Sequence, residues 1–254
     1  MMRRAAAAVA ALFAAGALAA GCGGPAGAEP ACESGTFDGA AFTWCRVDLE
    51  ADTLRLWLRD PDGAIWGGFA KLDQALRAEG GRLGVAMNAG MYHSDRSPVG
   101  LYVEDGVEEM RVVTSAGPGN FGLLPNGVFC IEGDRARVIE SRAYAADPPA
   151  CDYATQSGPM LVIDGALHPK FIEDGTSRYV RNGVGVRDDG REVILAISDE
   201  AVNFHHFARL FRDRLGVDDA LYLDGNVSRL WAPSAGRRDM GFPIGPILGT
   251  VAPR

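Results

Sequence analysis

Short apolar runs, broken again and again by aspartate–glycine pairs, constrain this chain more than any other feature. Residues 99–103 and 107–113 flank Glu104-Asp105-Gly106, residues 128–131 and 135–139 flank Gly133-Asp134, and residues 183–186 and 193–197 flank Asp189-Gly190. Two apolar runs joined by residues that tolerate a left-handed backbone read as a β-hairpin. Further strands are expected at 42–49, at 53–59 with Leu54, Leu56 and Leu58 alternating, and at 83–87, 160–163, 220–223 and 244–251. Only two stretches carry helical periodicity. One is 69–78, with Leu72, Ala75 and Leu76 ahead of Gly80-Gly81. The other is capped by Asn203 and places Phe204, Phe207, Ala208, Phe211 and Leu215 on one face. Strands and helices do not alternate as in βαβ units. The expectation is therefore α+β: a single domain, with a mixed and largely antiparallel sheet or sheets and about two main helices. No internal repeat or second-domain linker interrupts it.

The amino-terminal residues read differently. Met1-Met2-Arg3-Arg4 is a short positive segment, followed by 5–20 without a charge or a proline. This is the pattern of a signal peptide, expected over 1–21, and it is too short and alanine-rich for a lasting transmembrane helix. Leu18-Ala19-Ala20-Gly21-Cys22 resembles a bacterial lipoprotein site, in which Cys22 becomes the lipid-bearing terminus. Ordinary cleavage that leaves Cys22 as a spare thiol is the alternative. Residues 22–31 are rich in Gly, Pro and Ala and read as a flexible tether, leaving 32–254 as the folded domain. Four cysteines remain: Cys32, Cys45, Cys130 and Cys151. Sequential pairing is the simplest of their three possible connectivities, and disulfides fit an exported, cell-envelope protein. The formal net charge is −8, or −10 once Arg3 and Arg4 leave with the signal, and Lys71 and Lys170 are the only lysines. Such a chain is a poor nucleic-acid binder. An anion site in it would be built from arginine and backbone N–H groups.

Several common motifs fail their context. Gly117-Pro118-Gly119-Asn120-Phe121-Gly122 has G-x-G-x-x-G spacing but carries a proline and leads into Leu-Leu-Pro rather than a helix. His205 and His206 are adjacent, about 100° apart on a helix, and so do not form an i, i+4 metal pair. The reading calls for no cofactor, and a calcium ion in a loop is left open.

Four segments rich in small and amide residues lie at or near the ends of apolar strands. They are Met87-Asn88-Ala89-Gly90-Met91-Tyr92, Gln156-Ser157-Gly158-Pro159-Met160, Arg181-Asn182-Gly183-Val184-Gly185 and Leu223-Asp224-Gly225-Asn226-Val227-Ser228, with Pro125-Asn126-Gly127-Val128 a weaker fifth. Singly, each is a turn. Together, with an arginine and a carboxylate among them, they read as one site on a rigid scaffold. In order and spacing these motifs resemble the phosphodiester glycosidase family, from about Gly84 to the carboxyl terminus. Asn226 stands where the family has a second glycine, and Asn182-Gly183 where Thr-Ala is common.

The resemblance implies hydrolysis of the glycosidic bond of a sugar 1-phosphodiester in a glycan or envelope polymer. The partners it implies are that phosphorylated glycan and, through the lipid, a membrane. A phospho-glycan-binding lipoprotein without turnover is the alternative, and a metal-dependent phosphodiesterase a third. In this reading Arg181 grips the phosphate bidentately and Asp224 stabilises the sugar cation or activates water. Backbone N–H groups near Gly90, Gly158 and Gly225 assist. Asn88, Asn126 and Ser228 orient hydroxyls, while Tyr92 or His93 stacks or handles a proton. Ser157 and Asn226 complete the expected substrate-binding set. Asp164, Asp199 and Glu200 are the candidates for a second carboxylate, and each could instead pair with Arg181.

Overall fold

A computed structural model of the chain describes residues 29–253; the signal peptide and Cys22 lie outside the described residues. Three sheets form, and every ladder in them is antiparallel. The largest has seven strands in the order Ala31–Phe37, Ala40–Asp48, Glu192–Ser198, Asn182–Arg187, Asp219–Asp224, Met160–Ile163 and Ala166–Leu167. A second runs Arg237–Arg238, Leu230–Ala232, Gly81–Asn88, Ile247–Pro253, Thr53–Trp57. The third runs Val107–Met110, Tyr102–Glu104, Tyr153–Ser157, Gly127–Glu132, Arg135–Glu140.

Period-two alternation explains how the sheets pack. Val193, Leu195 and Ile197 point one way, into a core shared with Leu56 and Met87 of the second sheet and Phe129 and Ile131 of the third. Ile194 and Ala196 point the other way, onto Phe207, Ala208 and Phe211. The three sheets thus enclose one common core, and each carries a helix on its outer face. Phe204–Arg209, continued by a wider turn over Leu210–Arg214, covers the first. Phe69–Ala78 covers the second with Phe69, Leu72 and Leu76. Ser141–Ala146 covers the third with Tyr144. A strand apolar on both faces, such as Glu192–Ser198, is what this sandwiching requires.

The hairpins at 104–106, 133–134 and 189–190 all form. The helix at 69–78 keeps the expected bounds, and the Asn203 side chain accepts from His206 N–H at 2.8 Å. The structure adds a third, one-and-a-half-turn helix at Ser141–Ala146, and a strand at Ala31–Phe37 that starts at the last residue of the expected tether. That strand has no apolar alternation. It is held by its ladder to Ala40–Asp48, where Cys32 faces Cys45 and bonds to it. Cys130 pairs with Cys151, so the sequential connectivity is the observed one. The strand expected at 107–113 ends at Met110, because Val113 is drawn to the Gln156 side chain. No helix among the described residues is long and apolar enough to cross a membrane.

Candidate active site

Strand ends from all three sheets meet at one place. Asp224 closes its strand and lies in register with Asn182. Asn88 ends a strand of the second sheet, and Ser157, paired with Gly127, ends one of the third. The chain turns sharply after Asp224, and its Oδ1 accepts from the backbone N–H groups of Gly225 (2.5 Å) and Asn226 (2.9 Å). Oδ2 accepts from Asn88 Nδ2 at 3.2 Å. Burial holds the carboxyl above its ordinary pKa, against the hydrogen bonds from Asn226, Gly225, Val227 and Asn88, which favour the charged form.

Behind the carboxylate lies an amide relay. Asn182 is fully buried; its Nδ2 donates to Asn88 O (2.8 Å) and Oδ1 (3.2 Å), and its Oδ1 accepts from Asp224 N (3.0 Å) and Ser228 Oγ (3.2 Å). Asn88 Oδ1 also accepts from Arg229 N at 2.9 Å. With their amides committed to one another, Asn88 and Asn182 aim Asp224 and have no free face for a sugar hydroxyl. Ser228 belongs to the same support, donating to Asp224 O at 2.6 Å.

A cavity of about 650 Å³ opens in front of Asp224. Tyr92, Gly225 and Asn226 line it, as do Arg96, Asn120, Tyr179 and Tyr222, and Asp224 is the one carboxylate on its wall. Burial, and then the Asp224 charge, push the Tyr92 phenol up to about 12, so it is a neutral hydroxyl. Arg96 lies 5.3 Å over the Tyr92 ring.

Arg181 differs most from expectation. It is completely buried and is not on the cavity wall. Its Nε donates to Val202 O (2.9 Å) and its Nη2 to Ser177 O (2.8 Å), while its plane lies 3.7 Å from the centre of the Phe204 ring. With the fork committed to main-chain carbonyls, the expected bidentate grip on phosphate is not available. Among the described residues it has no ion-pair partner either: Asp199 holds Arg237 and Thr43 instead, Asp164 lines a separate hollow, and Glu200 is exposed. Arg181 Nη1 and the Tyr222 hydroxyl are both buried and face one another, and burial raises the pKa of the phenol against the guanidinium, which favours its charged form. Arg181 thus lies behind the cavity wall, against Tyr222. The arginine that reaches the wall is Arg96.

The remaining expected residues sort by depth. His93 is exposed and outside the cavity lining. Ser157 donates to Leu223 O at 3.0 Å, and Asn126 Nδ2 to Phe121 O at 2.8 Å; both are fully buried supports for the strand ends. Gly158 packs against Asn126. Gly90 has φ +70°, and a methyl there would overlap Thr155 Oγ1 and lie 3.1 Å from Gln156 O, so only glycine fits. Tyr222 could have been found from the sequence, because it stands two residues before Asp224 and shares its strand face. Arg96 and Tyr179 give no such signal. Gly119 and Asn120 of the misleading G-x-G-x-x-G run do reach the cavity, as wall rather than phosphate loop.

Comparison with known proteins agrees with this architecture. An uncharacterised protein, YigE of Escherichia coli (strain K12), is 32% identical over 185 residues, covering 73% of this chain and 72% of that one. The catalytic domain of zebrafish N-acetylglucosamine-1-phosphodiester alpha-N-acetylglucosaminidase, auto-inhibited by pro-peptide, superposes with a TM-score of 0.61 at 16% identity, over 90% of this chain and 84% of that one. A putative exported protein of Burkholderia pseudomallei gives 0.55 at 12% identity, over 83% and 74%. The two structural likenesses are of fold. A family model described as phosphodiester glycosidase matches residues 82–239, more than half the chain and the span that holds Asn88, Asn182 and Asp224. The chain belongs to the phosphodiester glycosidase family.

Proposed function

We propose that this chain hydrolyses the glycosidic bond of a sugar 1-phosphodiester. The observation that carries the reading is a single half-buried carboxylate, Asp224, aimed into a cavity by two backbone N–H groups and an amide. In this reaction the bond between the anomeric carbon and the phosphate oxygen breaks. The phosphate keeps the electron pair, and water supplies the hydroxyl at the anomeric carbon and gives up a proton. Phosphate is already a stable anion, so the leaving group needs little help from an acid. One carboxylate facing the sugar then meets the main need, which is to balance the oxocarbenium-like charge or to take the proton of water. The phosphate charge would be met by Arg96 on the wall and by the field of Arg181 behind Tyr222. Tyr92 and Asn226 are placed to contact the sugar.

Export to the cell envelope, with Cys22 lipidated, belongs to the same proposal. Two disulfides and the likeness to a putative exported protein support it.

The test is a panel of sugar 1-phosphodiesters in ¹⁸O-labelled water, scored for reducing sugar and phosphomonoester. The reading expects the label in the sugar, loss of turnover in Asp224→Asn, and no effect of chelator. Label in the phosphate would point to cleavage at phosphorus. Saturable binding without product, unchanged in Asp224→Asn, would leave a binding module.

A further inference from the structure

Among the described residues six large apolar side chains are exposed, and four of them gather at the mouth of this one site. Met240 is 86% exposed, Phe242 77%, Tyr179 46% and Val180 36%. Isolated exposed apolar residues are ordinary, whereas a contiguous group marks a surface that something covers. Here the group is continuous with the cavity. A second hollow of about 370 Å³ lies across the Gly225–Asn226–Val227 turn and shares those three residues and Phe242 with the first. Val180 and Met240 line only the second hollow, and Tyr179 only the first. The two hollows differ in chemistry. The first holds Asp224, Tyr92 and Arg96; the second offers an apolar flank of Val180, Val227, Met240 and Phe242 beside Asp239 and Arg229. Asp239 is already engaged by Arg237, while the buried Arg229 packs against Gly241 and bears its charge on Tyr92, toward the polar hollow.

We infer that the second hollow receives the alcohol side of the substrate, and that this side is apolar: the natural substrate is a sugar 1-phosphodiester of a lipid-like alcohol. The inference rests on the proposed hydrolysis. Sugar and phosphate sit in the polar hollow before Asp224, and an alkyl or isoprenoid chain leaves across Phe242 and Met240. Desolvating these side chains supplies binding without any further polar contact.

The experiment separates this inference from the hydrolytic reading by using ligands that carry no sugar. Methyl phosphate and octyl phosphate, the latter below its micellar concentration, are titrated calorimetrically into the full chain. Octyl phosphate should bind at least tenfold more tightly, the equivalent of about two buried methylenes. The Val180→Ser/Met240→Ser double variant, altered only in the second hollow, should lose that preference while keeping its affinity for methyl phosphate. A control, Val107→Ser, removes an exposed apolar residue elsewhere and should change nothing. Equal affinities, an octyl preference that survives the double variant, or no binding of either ligand would overturn the inference. So would a dimer in solution that dissociates in Phe242→Ser, since the patch would then be an interface between copies. Failure to cleave any diester, with the octyl preference intact, would count against the hydrolase and leave the apolar subsite standing.

Discussion

Placing a methyl group at residue 225 is expected to strain the site through one specific atom. Gly225 does not need its glycine for backbone reasons, because its φ is not in the left-handed region. Its constraint is space: a β-carbon there would overlap the Tyr222 hydroxyl oxygen, lie 3.2 Å from Tyr222 Cζ, and come within 3.7 Å of Arg181 Nη1. Tyr222 is fully buried and has Phe204 edge-on at 4.8 Å, so it cannot swing away freely. Gly225→Ala should therefore cost about 1–3 kcal/mol, the usual range for overpacking. Tyr222→Phe removes the hydroxyl that faces the buried Arg181 guanidinium, and should itself cost about 1–2 kcal/mol. In the double variant the added methyl meets only the ring edge, at a separation that a few tenths of an ångström would relieve. The two substitutions should thus couple favourably by about 1 kcal/mol or more in a double-mutant cycle measured by urea unfolding. Because the Gly225 and Asn226 amides hold Asp224, turnover should fall in Gly225→Ala and recover in the double variant. Additive destabilisation would refute the steric argument, since it would mean that the cost arises somewhere other than Tyr222.

Burial raises the folded-state pKa of Asp224, so what it adds to stability is full below its unfolded pKa and is lost as pH rises through the folded value. Between about pH 3 and about pH 7 the unfolding free energy of wild type relative to Asp224→Asn should therefore decline, and a flat difference would contradict the assignment. The acid limb of the pH–rate profile should lie above the ordinary carboxylate range for the same reason. Asn182→Ala strands partners on Asn88 and Asp224, and should cost about 2–3 kcal/mol in denaturant melts while lowering turnover more than substrate affinity. Removing the Cys130–Cys151 bridge, whose cysteines are 21 residues apart, should lower stability by about 2–4 kcal/mol, read as a shift in the urea midpoint.

Much of this molecule was legible locally. Asp-Gly turns set the hairpins, because a left-handed backbone is a property of the residue itself. The 69–78 helix showed its bounds through apolar spacing and a double glycine. The amide-rich strand ends marked where the site would lie, and they do converge. What stayed hidden was relational. Ala31–Phe37 has no apolar pattern and exists through its partner strand and a disulfide. Asn88 and Ser157 read as ligand contacts, yet their side chains donate to a third strand, Asp219–Asp224.

The sequence by itself determined most of the strands and turns and the cysteines available for bridging, since these depend on neighbours a few residues apart. Only the tertiary structure decided which arginine faces the cavity. Arg181 and Arg96 carry the same charge and the same donors. Packing against Phe204 and main-chain carbonyls buries the first, while the second is left on the wall. Such a choice depends on which surfaces meet across long stretches of chain, and no local pattern records that.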